Sequence, residues 1–339
     1  MSFPFLLLIL GFSFLLSLGL SFGVLHFFPK LGLMDRPERY GHKREPIPYP
    51  GGLALSLAVL VSVCVFLDFN PQVLAVIFGT LLLIGICFWD DRRSLPVWVR
   101  LLAQICAGLF LVIGGVGIHS LSNPFGDPII LDAWHLSAFF TVVWVGVMIN
   151  AFNWIDGVPG MTSGVAVVSS GILLLLSLSD FHTTDQSVAI GLSAMVFGAS
   201  LAFHFFDFPP PKMLMGDTGS MVLGFLMAVI ALISGGKVAT TVLVLSFPLL
   251  DFIWVILRRI FRGQSPFKGD LWHFHHRFLK AGFSPRQVVV IFLAGSGLFG
   301  ALALFAQSDG KLLLLVAVVV LMAFLAAFLY SKQRTNPTL

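Results

Sequence analysis

The nine residues Lys212-Met-Leu-Met-Gly216-Asp217-Thr-Gly219-Ser220 form a short polar turn between two apolar stretches, each long enough to cross a bilayer. Asp217 is the residue to explain. A carboxylate at the mouth of a membrane helix is costly if it sinks into lipid unpaired. One explanation is local: Asp217 caps a helix starting near Ser220 by accepting its first free N–H groups. The other is a ligand. Gly216 and Gly219 let the backbone pass close to a bound group, and N–H groups at a helix start favour an anion. Ionisable groups inside membranes are functional by default, which favours the ligand.

Working outward, 58% hydrophobic residues, 11% charged residues and a mean hydropathy of +0.98 exclude a soluble domain, whose charged fraction would be roughly 25%. Apolar segments recur along all 339 residues and leave no room for a separate soluble part, so residues 1–339 read as one membrane domain. Phe is abundant (35) and Tyr scarce (3), which suits lipid-facing helices better than a barrel with aromatic girdles. The expected fold is therefore all-α, a polytopic helical bundle. Cys64, Cys87 and Cys106 all lie in apolar stretches and support neither a disulfide framework nor a thiolate metal site. Met1 to Leu25 carries no positive charge and reads as a retained first helix.

Eleven spans are expected, over 3–28, 51–68, 71–89, 97–118, 134–152, 163–179, 186–206, 219–234, 238–260, 288–306 and 312–330. With the N-terminus outside and the C-terminus inside, eighteen of the twenty Lys and Arg residues fall on the cytoplasmic side, against Lys237 and Lys311 outside. That asymmetry predicts a multi-pass protein of the inner membrane. Its net charge of +4 sits on the face that meets anionic lipid or a polyanionic substrate. Nucleic acid is not needed as a partner. No inverted repeat of the transporter kind is evident.

Every strong polar cluster falls on the cytoplasmic side. Asp90 and Asp91 close the third span; neighbours on a helix point about 100° apart, so the two can serve different tasks. Asn150, Asn153 and Asp156 follow at spacings of three, on one helical face if the helix persists that far. Oxygen donors of that kind suit a hard cation such as Mg2+. A basic loop follows, from Arg258 and Arg259 through Arg262 and Lys268 to His273-Phe-His275-His276. Zinc is a weak reading of it, because no Cys lies nearby; hydrogen bonding to phosphate oxygens is the better one. Asp251, beside Pro248, reads as a supporting acid. Acid pairs, an expected Mg2+ site and a His-rich basic loop on one membrane face describe phosphate chemistry, and no P-loop pattern points to ATP.

Asp90-Asp91, Asn153-x-x-Asp156-Gly157, Met215-Gly-Asp217-Thr-Gly-Ser220 and His273-x-His275-His276, in this order, resemble the polyprenyl-phosphate N-acetylhexosamine-1-phosphate transferases. The resemblance spans nearly the whole chain. It implies that a polyprenyl phosphate attacks the β-phosphorus of a UDP-sugar, with UMP released. By position it implies Mg2+, or Mn2+ in its place, at Asn153 and Asp217. Asp90 and Asp91 become the catalytic pair that deprotonates or orients the lipid phosphate. Asn150, Asp156, Lys43, Arg262, Lys268, His273, His275 and His276 become substrate-binding. The implied partners are polyprenyl phosphate and a UDP-N-acetylhexosamine, with a homodimer left open.

Three departures stand out. Pro159 replaces the second Asp of the relatives' Asp-Gly-x-Asp-Gly, Asp207 stands where relatives often have Asn, and the Lys/His spacing of the first loop differs. Pro46-x-Pro48-x-x-Gly51-Gly52 and the spaced His motif resemble the GlcNAc-type branch more than the phospho-MurNAc-pentapeptide translocase, which is the second reading. An ion-coupled transporter using Asp217 and Asp251 is the rival from another class.

Overall fold

The computed structural model describes residues 1–40, 44–121, 127, 129–131, 133–179, 186–234, 238–264 and 273–335. Lys43 and Lys268 lie outside the described residues. The chain opens with α1 (Phe3–Phe27), α2 (Gly52–Phe66), α3 (Pro71–Arg92) and α4 (Val97–Ile113). A small antiparallel pair, β1 (Ser120–Leu121) and β2 (Ile129–Ile130), precedes α5 (Trp134–Ile155), α6 (Met161–Leu178), α7 (Ser187–Asp207) and α8 (Asp217–Ile233). The remainder is α9 (Val238–Val244), α10 (Ser246–Phe261), α11 (Phe274–Lys280), α12 (Pro285–Phe305) and α13 (Ser308–Thr335).

The protein is thus an all-α, multi-pass membrane protein, but its helix count departs from the expected eleven. Among the described residues, seven helices are long and apolar enough to cross a membrane, or eight if α9 and α10 form one broken span. The expected span over 238–260 is two helices bent by 85°. The reason is Pro248: it has no N–H to give the carbonyl four residues earlier, so the ladder breaks at Leu245, whose φ and ψ are −98° and 16°. A further helix, α11, lies in the region read as a basic loop.

Three apolar helices are short: α2 has 15 residues, α4 and α8 have 17. At 1.5 Å per residue, 17 residues span about 25 Å, less than the roughly 30 Å of a hydrocarbon core. For α8 the shortfall has a structural setting. It packs against α2, α3, α5, α6, α7 and α9, and Thr218 through Leu232 are all buried, so protein surrounds it rather than lipid. By contrast only 17% of the α13 span is buried, which makes it a lipid-facing helix at the periphery.

Small polar residues set the closest helix contacts. Ser13, Ser17 and Ser21, one turn apart on α1, are fully buried; Ser13 bonds the Ser62 hydroxyl at 2.7 Å and Ser17 the Ala199 carbonyl at 2.8 Å. Small side chains let helices approach, and the Ser13 and Ser17 hydroxyls find partners inside the apolar medium. The bundle brings the C-terminal ends of α3, α5 and α7 to the same side as the N-terminal ends of α4, α6 and α8.

Candidate active site

The first turn of α8 is built from three parts of the chain. Gly216, just before it, has φ +77°, a conformation that side chains rarely adopt, and a Cβ there would meet Pro50 at 2.6 Å. Asp217 does not cap this helix. The helix begins at Asp217 itself rather than near Ser220, and the acceptor for its free N–H groups is Asp91, from the last turn of α3. Asp91 Oδ1 accepts from the Asp217 N–H at 2.9 Å, and Oδ2 accepts from the Thr218 N–H at 2.9 Å and the Thr218 hydroxyl at 2.5 Å. A carboxylate so placed satisfies two orphan donors and complements the positive end of the helix. The local cap reading of Asp217 is corrected accordingly.

The segment between α1 and α2 straps this turn down. Asp35 accepts from the Ile47 N–H at 2.7 Å and is paired with Arg44, which closes the segment on itself. Beyond it, Leu214 N–H donates to the Pro48 carbonyl at 3.1 Å, while Gly51 and Gly52 N–H donate to the Leu214 and Met215 carbonyls at 2.6 and 2.8 Å. A Cβ on Gly52 would stand 2.5 Å from the Gly219 Cα, so backbone packs directly on backbone. The same strap carries Tyr49, whose hydroxyl donates to Asp91 Oδ1 at 2.5 Å. Burial first, then the Asp91 and Asp217 carboxylates, push the Tyr49 phenol far above its usual range, so it stays protonated.

With the helix start held by Asp91, the Asp217 side chain is left for other work. Its Oδ1 accepts from Asn153 Nδ2 at 2.8 Å, and its Oδ2 lies 3.0 Å from Arg100 Nη1. Asn153 also donates to the Ser220 hydroxyl at 3.1 Å. Arg100 bridges to Asp90, whose Oδ2 is 3.3 Å away and whose Oδ1 accepts from the Leu95 N–H. Asp217 keeps 23% of its side chain exposed, so solvent or a ligand can reach it. Asp90 and Asp217 share the one Arg100 guanidinium, with the Asp91 carboxylate close by, so acid outweighs base at this spot.

Neither Arg100 nor Tyr49 was singled out from the sequence. The signals were present: Arg100 is a lone charge at the start of an apolar span, and Tyr49 is one of only three tyrosines.

The other expected residues divide. Asn150 sits one turn deeper than Asn153 and donates to Gln104 on α4 at 2.7 Å and to the Gly146 carbonyl at 2.8 Å, so it does not join Asn153. Asp156 ends α5; burial and then the nearby Asp207 carboxylate push it well above the usual carboxylate range. Asp207 caps α6 from α7, accepting from the Gly160 N–H at 2.9 Å and the Ser163 hydroxyl at 2.8 Å. Asp207 thus holds the start of α6, through the N–H of its N-cap residue where Asp91 takes those of the first turn of α8.

The His segment docks against the same end of α5. Asp251 holds it, accepting from the Phe274 N–H at 2.9 Å and lying 3.1 Å from His273 Nδ1. His273 and His275 stack with ring planes 6° apart, and His275 faces Gly157, where a Cβ would stand 2.5 Å from Nε2. His275 is buried, and burial holds its pKa well below the usual imidazole value; His276 is half-buried. Arg262 ends α10 with an exposed side chain.

A sequence model of glycosyl transferase family 4 matches residues 73–235, from α3 to the end of α8. The chain is 29% identical to a probable undecaprenyl-phosphate N-acetylglucosaminyl 1-phosphate transferase of Bacillus subtilis (strain 168), over 87% of this chain and 83% of that protein. It is 29% identical to the undecaprenyl-phosphate alpha-N-acetylglucosaminyl 1-phosphate transferase of Yersinia pestis, over 94% and 88%. It is also 29% identical to the decaprenyl-phosphate N-acetylglucosaminephosphotransferase of Mycobacterium leprae (strain TN), over 79% and 77%. Fold, site and likenesses together define a class: a membrane-embedded phosphoglycosyl transferase, an enzyme rather than a transporter. More particularly, the chain is similar to glycosyl transferase family 4, the polyprenyl-phosphate hexosamine-1-phosphate transferases.

Proposed function

We propose that this enzyme transfers N-acetylhexosamine 1-phosphate from a UDP-sugar to polyprenyl phosphate at the cytoplasmic face of the inner membrane, starting a lipid-linked glycan. A phosphate oxygen of the lipid bonds to the β-phosphorus of the UDP-sugar. The bridging P–O bond to the α-phosphate breaks, and its electron pair leaves with UMP. The observation that carries the reading is the cluster at one end of the bundle in which Arg100 joins Asp90 to Asp217, Asn153 bonds Asp217 and Asp91 holds the Asp217 main chain. The relatives' names point to undecaprenyl phosphate as acceptor and N-acetylglucosamine as sugar.

The donor set fits Mg2+, with Mn2+ as substitute. One carboxylate and one amide oxygen are what this ion takes from a protein when substrate phosphates and water complete its shell. Asp217 supplies the charge and Asn153, after turning its amide, the neutral oxygen. Bound there, the ion would neutralise charge on the diphosphate during transfer. A cation held by Asp217 would compete with Arg100, which would keep its link to Asp90 and could serve phosphate oxygens. His276, Arg262, Lys268 and Lys43 bind the nucleotide phosphates, while His273 and His275 order that face. Asp156 takes a polar edge of the donor.

Purified enzyme with undecaprenyl phosphate, Mg2+ and a panel of UDP-sugars tests the reaction and the sugar together. UMP release with a lipid product of the mass of polyprenyl-diphospho-N-acetylhexosamine is the expected result. UMP release with UDP-MurNAc-pentapeptide alone would replace the sugar assignment, and no UMP with any donor would contradict the reaction.

A further inference from the structure

Asp91 accepts four hydrogen bonds, and three come from the helix start that it caps. The fourth comes from Tyr49, on a different part of the chain. We propose that Tyr49 is a positioning residue of the transferase site: its hydroxyl locks Asp91 against the start of α8 and so sets the Asp217 carboxylate for its cation. The proposal rests on the assignment of Asp217 as a metal ligand.

A carboxylate offers about four acceptor positions. Both positions of Oδ2 are used by Thr218, through its N–H and its hydroxyl, and those of Oδ1 by Asp217 N–H and Tyr49. Removing the phenolic hydroxyl leaves Oδ1 with a single donor, and the carboxylate gains freedom to pivot. The first turn of α8 moves with it, because its N–H groups form the other half of the contact. Asp217 belongs to that turn.

Tyr49 is well suited to the task. Its main-chain N–H is tied to the Leu33 carbonyl at 3.1 Å, and the next two N–H groups beyond Pro50 are tied to Leu214 and Met215. The backbone that carries the ring is therefore anchored both to Leu33 and to the residues leading into the turn it supports. Its hydroxyl remains a donor at any pH the protein meets, since burial and two carboxylates oppose its ionisation.

A corollary divides the acid pair. With all its acceptor positions filled, Asp91 has none for a substrate proton and acts through the backbone. Asp90 is instead joined to Asp217 through the Arg100 guanidinium.

The test uses the full-length protein in detergent and two independent variants, Tyr49→Phe and Thr218→Val, each removing one hydroxyl donor to Asp91. Mn2+ binding without substrates is read by the loss of the free-ion paramagnetic resonance signal, and Mg2+ dependence by UMP release. Both variants are expected to bind Mn2+ on the order of tenfold more weakly and to need correspondingly more Mg2+, while KM for the UDP-sugar changes by less than about twofold. Wild-type affinity for Mn2+ in both variants would overturn the proposal. A rise in KM with unchanged Mn2+ binding would make Tyr49 a substrate contact and overturn it as well. Absence of Mn2+ binding in the wild type would instead refute the metal assignment, a failure that is distinguishable from the first.

Discussion

The main-chain N–H of Asp217 donates to the carboxylate of Asp91 at 2.9 Å, so two acids from different helices are joined through backbone instead of facing each other as bare charges. The arrangement makes use of the helix start twice. Its N–H groups are satisfied by one acid, and the other is held at the rim with its side chain turned toward Arg100 and Asn153. Bringing several carboxylates together this way is tolerable because each has donors of its own.

Gly52→Ala is expected to destabilise the protein by more than about 2 kcal/mol and to abolish transfer, because its Cβ would stand 2.5 Å from the Gly219 backbone, which cannot give. Gly85→Ala, on α3 with nothing within 4 Å, serves as the comparison and should be neutral or slightly stabilising. Thermal unfolding in detergent measures both; equal behaviour of the two variants would contradict the backbone-on-backbone strap.

Arg100→Ala should lower transfer by about 10²-fold, the usual loss when a charged donor to the reacting phosphates is removed. It should also lower the Mg2+ concentration giving half-maximal activity, since the cation that competes for Asp217 Oδ2 is gone. Initial rates across a Mg2+ titration check this. A higher Mg2+ requirement would mean that Arg100 supports the metal instead of competing with it.

Much of the bundle was legible because lipid demands it: long apolar stretches carry their own physical reason, whereas the break before Pro248 was read as part of a single span over 238–260. Asp217, Asn153 and the Asp90–Asp91 pair were also legible, as ionisable or amide groups at helix mouths. What was not legible depends on partners far away in the chain. The cap of α8 comes from Asp91, 126 residues before the helix, so no local capping rule could find it. Asn150 shares a helical face with Asn153, yet one turn of depth is enough to give it to Gln104. Arg100 counted only toward orientation, and Tyr49 passed unnoticed within a strap whose pairing with residues 213–216 is purely backbone.

His275 gives the protein a predictable acid sensitivity. Its folded pKa is depressed by burial, with His276 and His273 adding to the effect, so near pH 6 the unfolded chain binds the proton more readily than the native one. The sign follows: its contribution is fully present above about 6.5, the unfolded value, and is lost as pH falls below it. Unfolding temperatures between pH 7.5 and 5.5 should fall with acidity, and less steeply in His275→Gln. The same slope in both proteins would contradict the burial of His275 as its cause.

The proposed orientation is tested by single cysteines in intact cells. A Cys at position 119 should react with an impermeant thiol reagent added outside, and a Cys at 93 or 212 should not. The reverse pattern would place every site residue away from a cytoplasmic nucleotide sugar.

The central claim is that Asp217 holds the divalent cation for transfer, and Asp217→Asn tests it most directly. Because Asp91 caps α8, and does so through main-chain groups that the substitution leaves intact, the variant should fold with wild-type unfolding behaviour. The volume is nearly unchanged; what is lost is the negative charge that retains the ion. UMP release by the purified variant at limiting Mg2+ is expected to fall by several orders of magnitude, with partial recovery at high Mg2+. Wild-type turnover by Asp217→Asn at limiting Mg2+ would contradict the claim.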